Sequence, residues 1–241
     1  MQEFFITATG TDLGKTFLVS KLIAKLKSLN CKIDAIKPIA SGHHIDDYNS
    51  DSYKIYQQLY NDEKNEERQE KLNKITPWHF KEPVSPHFAA KINNQNLEFE
   101  LINRFCQERI KLARKEQSYL LIEGAGGIMT PINYQYSFLD LAIKLNINNI
   151  ILIGNYLGSI SHSLTAINSI INSGLKIHTI IINDFRPNIT NYSDSQINNE
   201  ELIATIKSFY DLPIFPDITG FCEDFANKII KSPINIIFSD N

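Results

Sequence analysis

Near the amino terminus, Ala8-Thr9-Gly10-Thr11-Asp12-Leu13-Gly14-Lys15-Thr16 brings together the residue types that hold a phosphate. Small residues let backbone N–H groups turn toward an anion, and the start of a following helix adds its dipole. The Gly-Lys-Thr end supplies a cation and a hydroxyl. Lys15 is expected to reach the β- and γ-phosphates of a nucleotide, Thr16 to ligate Mg²⁺, and Gly14 to let the backbone approach without a side-chain clash. The spacing departs from GxxxxGK[ST]: the first position falls on Thr9, with Gly10 one residue closer and Ala8 one farther. A glycine turn before a surface Lys-Thr pair is the plainer alternative. The order of apolar run, GKT and helix-forming sequence favours the phosphate site.

Further chemistry-bearing clusters are expected at strand ends, where open α/β sheets bind ligands. They are Lys37-Pro38-Ile39-Ala40-Ser41-Gly42 followed by Asn49-Ser50-Asp51, then Pro83-Val84-Ser85-Pro86-His87, then Glu123-Gly124-Ala125-Gly126-Gly127. Glu123 ends the apolar run Leu120-Leu121-Ile122, which puts a carboxylate where a magnesium ligand is needed beside a phosphate loop. Asp51 is a second candidate carboxylate, and a helix cap or a solvent-facing acid remains open for both. Glycines 124, 126 and 127 leave room for phosphate or substrate at backbone N–H groups. Lys37 leaves an apolar strand before a proline-fixed turn and is expected to face the pocket, giving two cations with Lys15. His87 suits a base or a structural hydrogen bond, and the structural role is favoured.

These groups need a scaffold. Short β-branched runs alternate with longer amphipathic stretches, the pattern of parallel strands joined by helical crossovers. Strands are expected at residues 4–8, 33–38, 119–122, 150–153 and 179–182, with a short one near 213–215. Helices are expected at 15–28, 51–59, 96–115, 138–145, 162–173, 199–209 and 223–231. Runs such as Ile150-Ile151-Leu152-Ile153 fit strands covered on both faces. The mixed-charge stretch 61–74 reads as a solvated helix or loop. The fold class is therefore α/β, a P-loop NTPase-type arrangement with a mainly parallel central sheet and helices on both faces. With 241 residues and 43% hydrophobic content, residues 1–241 are expected to form a single domain.

Composition narrows the partners. Lys and Arg number 24 against 27 Asp and Glu, a net charge of -3, which gives no electrostatic reason to bind nucleic acid. The cysteines, Cys31, Cys106 and Cys222, are far apart and without CxxC spacing, which indicates neither disulfides nor a zinc knuckle and suits a reducing cytoplasm. No run of signal-peptide type opens the sequence, and none approaches the ~18 apolar residues of a membrane span.

The ordered set FITATGTDLGKT, KPIASG, NSD, PVSPH, EGAGG, LGSISH and IIND resembles the dethiobiotin synthetases through most of the chain. The resemblance implies ATP- and Mg²⁺-dependent closure of a cyclic urea on 7,8-diaminononanoate with CO₂, through a carbamate that ATP phosphorylates. It implies Lys15, Lys37 and Thr11 as catalytic residues and Thr16, Asp51 and Glu123 as metal ligands. ATP contacts would come from Asp12, Leu13, Gly14, Lys15, Thr16 and Phe17, from Asp51, and from Glu123, Gly124, Ala125 and Gly126. Asn183 and Asp184, with Phe215, Pro216 and Asp217, would meet the base. Thr11, Lys37 and Ser41 would face the carbamate. Family members are homodimers whose substrate lies at the interface, so Gly158, Ser159, Ile160 and Ser161 would serve the partner's site, with backbone N–H groups suited to a carboxylate. The family usually has glycine where Ala8 stands and often asparagine where Ser161 stands.

A partition- or septum-type P-loop ATPase switch, acting through protein partners, is the alternative. Such proteins usually carry an early lysine in the phosphate loop, where this chain has Ala8-Thr9-Gly10, and often a basic surface, whereas only Lys231 is cationic after Ile230. A cobyric or cobyrinic synthetase relative would need a glutaminase domain for which the length leaves no room.

Overall fold

The computed structural model describes residues 2–42, 47–60, 67–183 and 198–231. Its centre is a six-stranded sheet built from β1 (Glu3–Ala8), β2 (Ile33–Ile36), β5 (Tyr119–Glu123), β6 (Asn148–Gly154), β7 (Ile177–Asn183) and β8 (Ile214–Phe215). The strands lie in the order β2-β5-β1-β6-β7-β8, and every pairing is parallel. A separate parallel pair joins β3 (Ile39–Ala40) to β4 (Trp78–His79).

Parallel pairing forces the chain across a face of the sheet between strands, and helices make the crossings. They are α1 (Lys15–Ser28), α2 (Asp51–Tyr60), α3 (Arg68–Ile75), α4 (Pro86–Ile92), α5 (Phe99–Glu116), α6 (Phe138–Leu145), α7 (Ser159–Asn172), α8 (Asn199–Phe209) and α9 (Ile218–Lys231). Both faces are covered, which explains the unbroken apolar runs. Along β1 the pleat sends Phe4, Ile6 and Ala8 into the core beneath α1, α2 and α9, and Phe5 into the core beneath α5 to α8. In β6, Ile150 and Leu152 take the first core while Ile151 and Ile153 take the second. Each Phe, Ile or Leu among these, fully buried, contributes about 1.5–3 kcal/mol.

Several expectations are corrected. β2 stops at Ile36, because Pro38 cannot donate to a ladder and the chain turns into β3 instead. Pro83 to His87 does not end a strand of the central sheet. It leads from β4 into α4, with Pro86 at the first helical turn, where its missing N–H costs nothing. Helix α3 occupies the described end of the mixed-charge stretch. Helix α7 starts at Ser159 and not at residue 162, and α9 starts at Ile218 and not at residue 223.

Two local devices matter for the site. Lys27, in the last turn of α1, donates to the carbonyls of Gln58 and Leu59 at 2.9 and 2.8 Å, satisfying the carboxyl end of α2. The Ser52 and Thr76 hydroxyls meet at 2.6 Å and join α2 to the exit of α3. Both fix the helix that begins at Asp51.

Candidate active site

The phosphate loop runs from the end of β1 to α1. The Thr9 N–H donates to the Leu152 carbonyl at 3.0 Å, and the Ile128 N–H donates to the Ala8 carbonyl at 3.0 Å, so the loop is anchored between the strands on either side. Asp12 and Gly14 adopt the left-handed conformation, with φ of 55° and 87°. Gly14 has a steric reason as well: a Cβ there would collide with the Asn183 amide. Lys15, the first residue of α1, is buried and donates through Nζ to the Gly10 carbonyl at 3.0 Å. Burial, and then the nearby Lys37 charge, pull its ammonium down to about 8. An anion between the two lysines would restore it.

Glu123, at the end of β5, is fully buried. Its Oε1 accepts from the Thr16 hydroxyl at 2.7 Å and from Lys37 Nζ at 2.8 Å. Lys37 also pairs with Asp51. Burial alone would lower the Lys37 ammonium, but the Glu123 and Asp51 carboxylates outweigh it and hold it above its ordinary value. Burial would likewise raise the Asp51 carboxyl, and the Lys37 charge overcomes it and keeps Asp51 below its usual value. Lys37 is thus a fixed cation. Lys15, Thr16, Lys37, Asp51 and Glu123, drawn from four places in the chain, form one cluster at the carboxyl ends of β1, β5 and β2.

The cluster suits magnesium. Glu123 Oε2 is buried with no hydrogen-bond partner among the described residues, which leaves a carboxylate oxygen available for a cation. Thr16, Asp51 and Glu123 offer hard oxygens, and Mg²⁺ takes one or two carboxylates from protein while phosphates and water complete its octahedron. Among the described residues no group of three or more His, Cys, Asp or Glu side chains is placed to hold a metal ion.

The glycine loop after β5 lies against the phosphate loop. Gly124 N–H donates to the Ile6 carbonyl at 2.9 Å, and a Cβ on Gly127 would press on the Thr9 backbone. Thr130, which the motifs did not mark, shapes this loop: its hydroxyl accepts from the Gly127 N–H at 2.9 Å and fills the space where a Cβ on Gly126 would stand. Ala125 is buried. Leu13 is buried, and Phe17 is exposed on α1 beneath the Lys21 ammonium.

Thr11 is exposed in the phosphate loop and Ser41 is half-buried just past β3. Asn183, at the end of β7, donates to the Leu13 carbonyl at 3.1 Å and so borders the phosphate loop. Asp184 lies outside the described residues. Phe215 packs on Phe221, Pro216 is exposed, and the Asp217 carboxylate accepts from the Gly220 N–H at 2.7 Å at the start of α9. Gly158 precedes α7 with φ of 91°, Ser159 is buried, Ile160 half-buried and Ser161 exposed. Among the described residues no hydrogen bond joins this turn to Lys15, Lys37, Asp51 or Glu123. His87 meets the Ser85 hydroxyl at 3.0 Å and Tyr134 edge-on, the structural role favoured for it.

A parallel sheet with a strand-GKT-helix phosphate cradle and a buried lysine-carboxylate cluster beside it defines a P-loop nucleotide-binding protein. Residues 2–218 match a family described as an AAA domain. The ATP-dependent dethiobiotin synthetase of Acidiphilium cryptum is 32% identical over 78% of this chain and 82% of its own. That of Clostridium botulinum is 30% identical over 93% and 92%. The chain belongs to the dethiobiotin synthetase family, and its enzyme class is that of an ATP-dependent ligase. Among solved structures, the MinD cell division protein of Aquifex aeolicus superposes with a TM-score of 0.51 at 14% identity, covering 96% of this chain and 89% of its own. A chain of the MinC:MinD cell division protein complex of Aquifex aeolicus gives 0.52 at 12%, with the same coverage. These likenesses show the fold alone. Among the described residues no helix is long and apolar enough to cross a membrane.

Proposed function

We propose that this protein carboxylates 7,8-diaminononanoate with CO₂ and closes the ring to dethiobiotin, converting ATP to ADP and phosphate. The observation that carries this is the pairing of Lys37 with Glu123 and Asp51 beside Lys15. Two buried cations and two carboxylates supply the charge needed to bring an anionic carbamate and a triphosphate together.

One substrate amine adds to CO₂ and loses a proton, giving a carbamate. A carbamate oxygen then takes the γ-phosphoryl group and ADP leaves. The second amine attacks the carbamoyl carbon, expels phosphate and loses its proton. Through these steps Lys15 and Lys37 offset repulsion between the anions and stabilise charge spread over the transferring group. Thr11 and Ser41 orient the carbamate, and the backbone of the phosphate loop holds the β-phosphate. Thr16, Asp51 and Glu123 would hold Mg²⁺, whose chemistry here is charge neutralisation on the phosphates. Asn183 and the 215–217 turn face the base, with Asp12, Leu13, Phe17 and the 124–126 glycine loop around the rest of the nucleotide.

The enzyme works as a homodimer in the cytoplasm, each chain one domain. The Gly158-Ser159-Ile160-Ser161 turn, exposed at Gly158 and Ser161, presents the backbone N–H groups of Ile160 and Ser161 in the first turn of α7 to the carboxylate of the partner's substrate. Free cysteines at 31, 106 and 222 fit a reducing compartment.

The test is incubation of the purified protein with 7,8-diaminononanoate, bicarbonate and Mg-ATP, following dethiobiotin by mass and phosphate release in parallel. Product requiring all three components is expected. Phosphate release indifferent to the diamine would instead favour a switch-type ATPase, and no product from ATP-binding protein would remove the proposed substrate.

A further inference from the structure

The order of strands gives the nucleotide a direction. Lys37 follows β2 and Glu123 ends β5, on one side of β1 and its phosphate loop, while β6, β7 and β8 lie on the other. With the γ-phosphate held toward the lysine-carboxylate side, the nucleoside extends toward β7 and β8. Asn183 and Ile218 already border Gly14 there.

On that side three segments meet at one side chain, Asn199, the first residue of α8. Its Oδ1 accepts from Asn155 Nδ2 at 3.0 Å, just past β6. Its Nδ2 donates to the Pro216 carbonyl at 3.4 Å, just past β8. Strand β8 has two residues, Ile214 and Phe215, paired with β7, and just upstream Thr179 Oγ1 and the Ile180 N–H both donate to the Pro213 carbonyl, at 3.0 and 2.9 Å. Asn199 is thus placed to fix where the exit of β8 lies relative to β6. The helix start does not depend on it, since the Asn198 side chain accepts from the Glu201 N–H at 2.7 Å and caps α8.

We propose that Asn199 is a positioning residue for the nucleoside end of ATP: by holding the Pro216 carbonyl it sets the placement of the 215–217 turn over the base. This rests on the nucleotide reading above. The Asn199 side chain acts through the turn and does not touch the phosphates, so its removal weakens recognition of the nucleoside and spares recognition of the polyphosphate.

The experiment measures the affinities of the full-length protein and of its Asn199→Ala and Asn199→Asp variants for Mg-ATP and for Mg-tripolyphosphate. The aspartate variant keeps the acceptor for Asn155, loses the donor to Pro216, and suits the first turn of a helix. Loss of one hydrogen bond predicts ATP affinity weaker by about fivefold in both variants, with tripolyphosphate affinity kept within about twofold. Unchanged ATP affinity in the variants, wild-type affinity in Asn199→Asp alone, or a parallel fall for both ligands would overturn the assignment. If the wild-type protein binds no ATP, the nucleotide reading itself fails and this inference falls with it.

Discussion

The Thr16 hydroxyl donates to Glu123 Oε1 at 2.7 Å, a buried contact between residues 107 positions apart. It joins the first turn of α1 to the end of β5 and sets the hydroxyl and the carboxylate in register with the phosphate loop. Lys37 shares the same oxygen, so one carboxylate organises a hydroxyl and a cation while its second oxygen has no hydrogen-bond partner among the described residues.

Lys37→Ala is expected to lower turnover by at least about 100-fold, the scale of losing one preorganised charge contact in a transition state. ATP binding should persist, because the phosphate loop and Lys15 are untouched. Steady-state rates beside direct ATP titration check this, and a loss of ATP affinity with normal turnover at saturation would contradict it.

Glu123→Gln keeps the shape of the side chain and removes its charge. The concentration of Mg²⁺ needed for half-maximal rate should rise by about tenfold or more, since a neutral amide oxygen is a poorer magnesium ligand. A magnesium titration unchanged from the wild type would take Glu123 out of the metal set.

Gly14→Ala combines a left-handed backbone with a collision against Asn183. The strained conformation alone costs about 1–3 kcal/mol. Denaturant unfolding should show at least that loss, and ATP binding should fail with it. A variant of wild-type stability that still binds ATP would show that the loop adjusts.

The Lys15 ammonium, held at about 8, gives a pH dependence with a definite sign. In the free protein its charge is lost as pH rises through that value, while bound phosphate favours the charged form. ATP affinity should therefore fall above about pH 8, and binding there should take up a proton. For the fold the direction is opposite: the folded state holds its proton less tightly than the unfolded chain. The Lys15 contribution is least favourable below about 8 and improves as pH rises toward 10.5. Calorimetric titrations in buffers of differing ionisation heat measure the proton uptake directly, and a flat affinity from about pH 7 to about pH 9.5 would refute the assignment.

The proposed shared site predicts complementation. A Lys37→Ala chain and a chain substituted at Gly158 should each be inactive alone and recover part of the activity when mixed, because a hybrid dimer holds one intact site. No recovery from variants shown to mix would place each site within a single chain.

The central site was legible because its residues sit where apolar runs stop. Glu123 after Leu120-Leu121-Ile122, Lys37 after Ile36, and GKT after β1 are all marked by an abrupt change from buried strand to polar group. Helix α4 and the β3-β4 pair were not, since strands of two residues carry no periodicity and prolines 83 and 86 mask the helix they introduce. The first turn of α7 was hidden by Gly158-Ser159-Ile160-Ser161, whose small polar residues read as loop, and the start of α9 by Gly220. The contacts of Thr130 and Lys27 carry no local signal at all, because they depend on which segments the folded chain brings together.

The placement of β1 also bears on synthesis. Strand β1 pairs with β5 and β6, so once made it must wait for residues 119–123 and then 148–154 before its ladders can close. Such distant closure makes assembly slow and leaves Phe4, Phe5 and Ile6 uncovered meanwhile. Strand β1 is therefore the segment for which a holding chaperone has most to offer during synthesis.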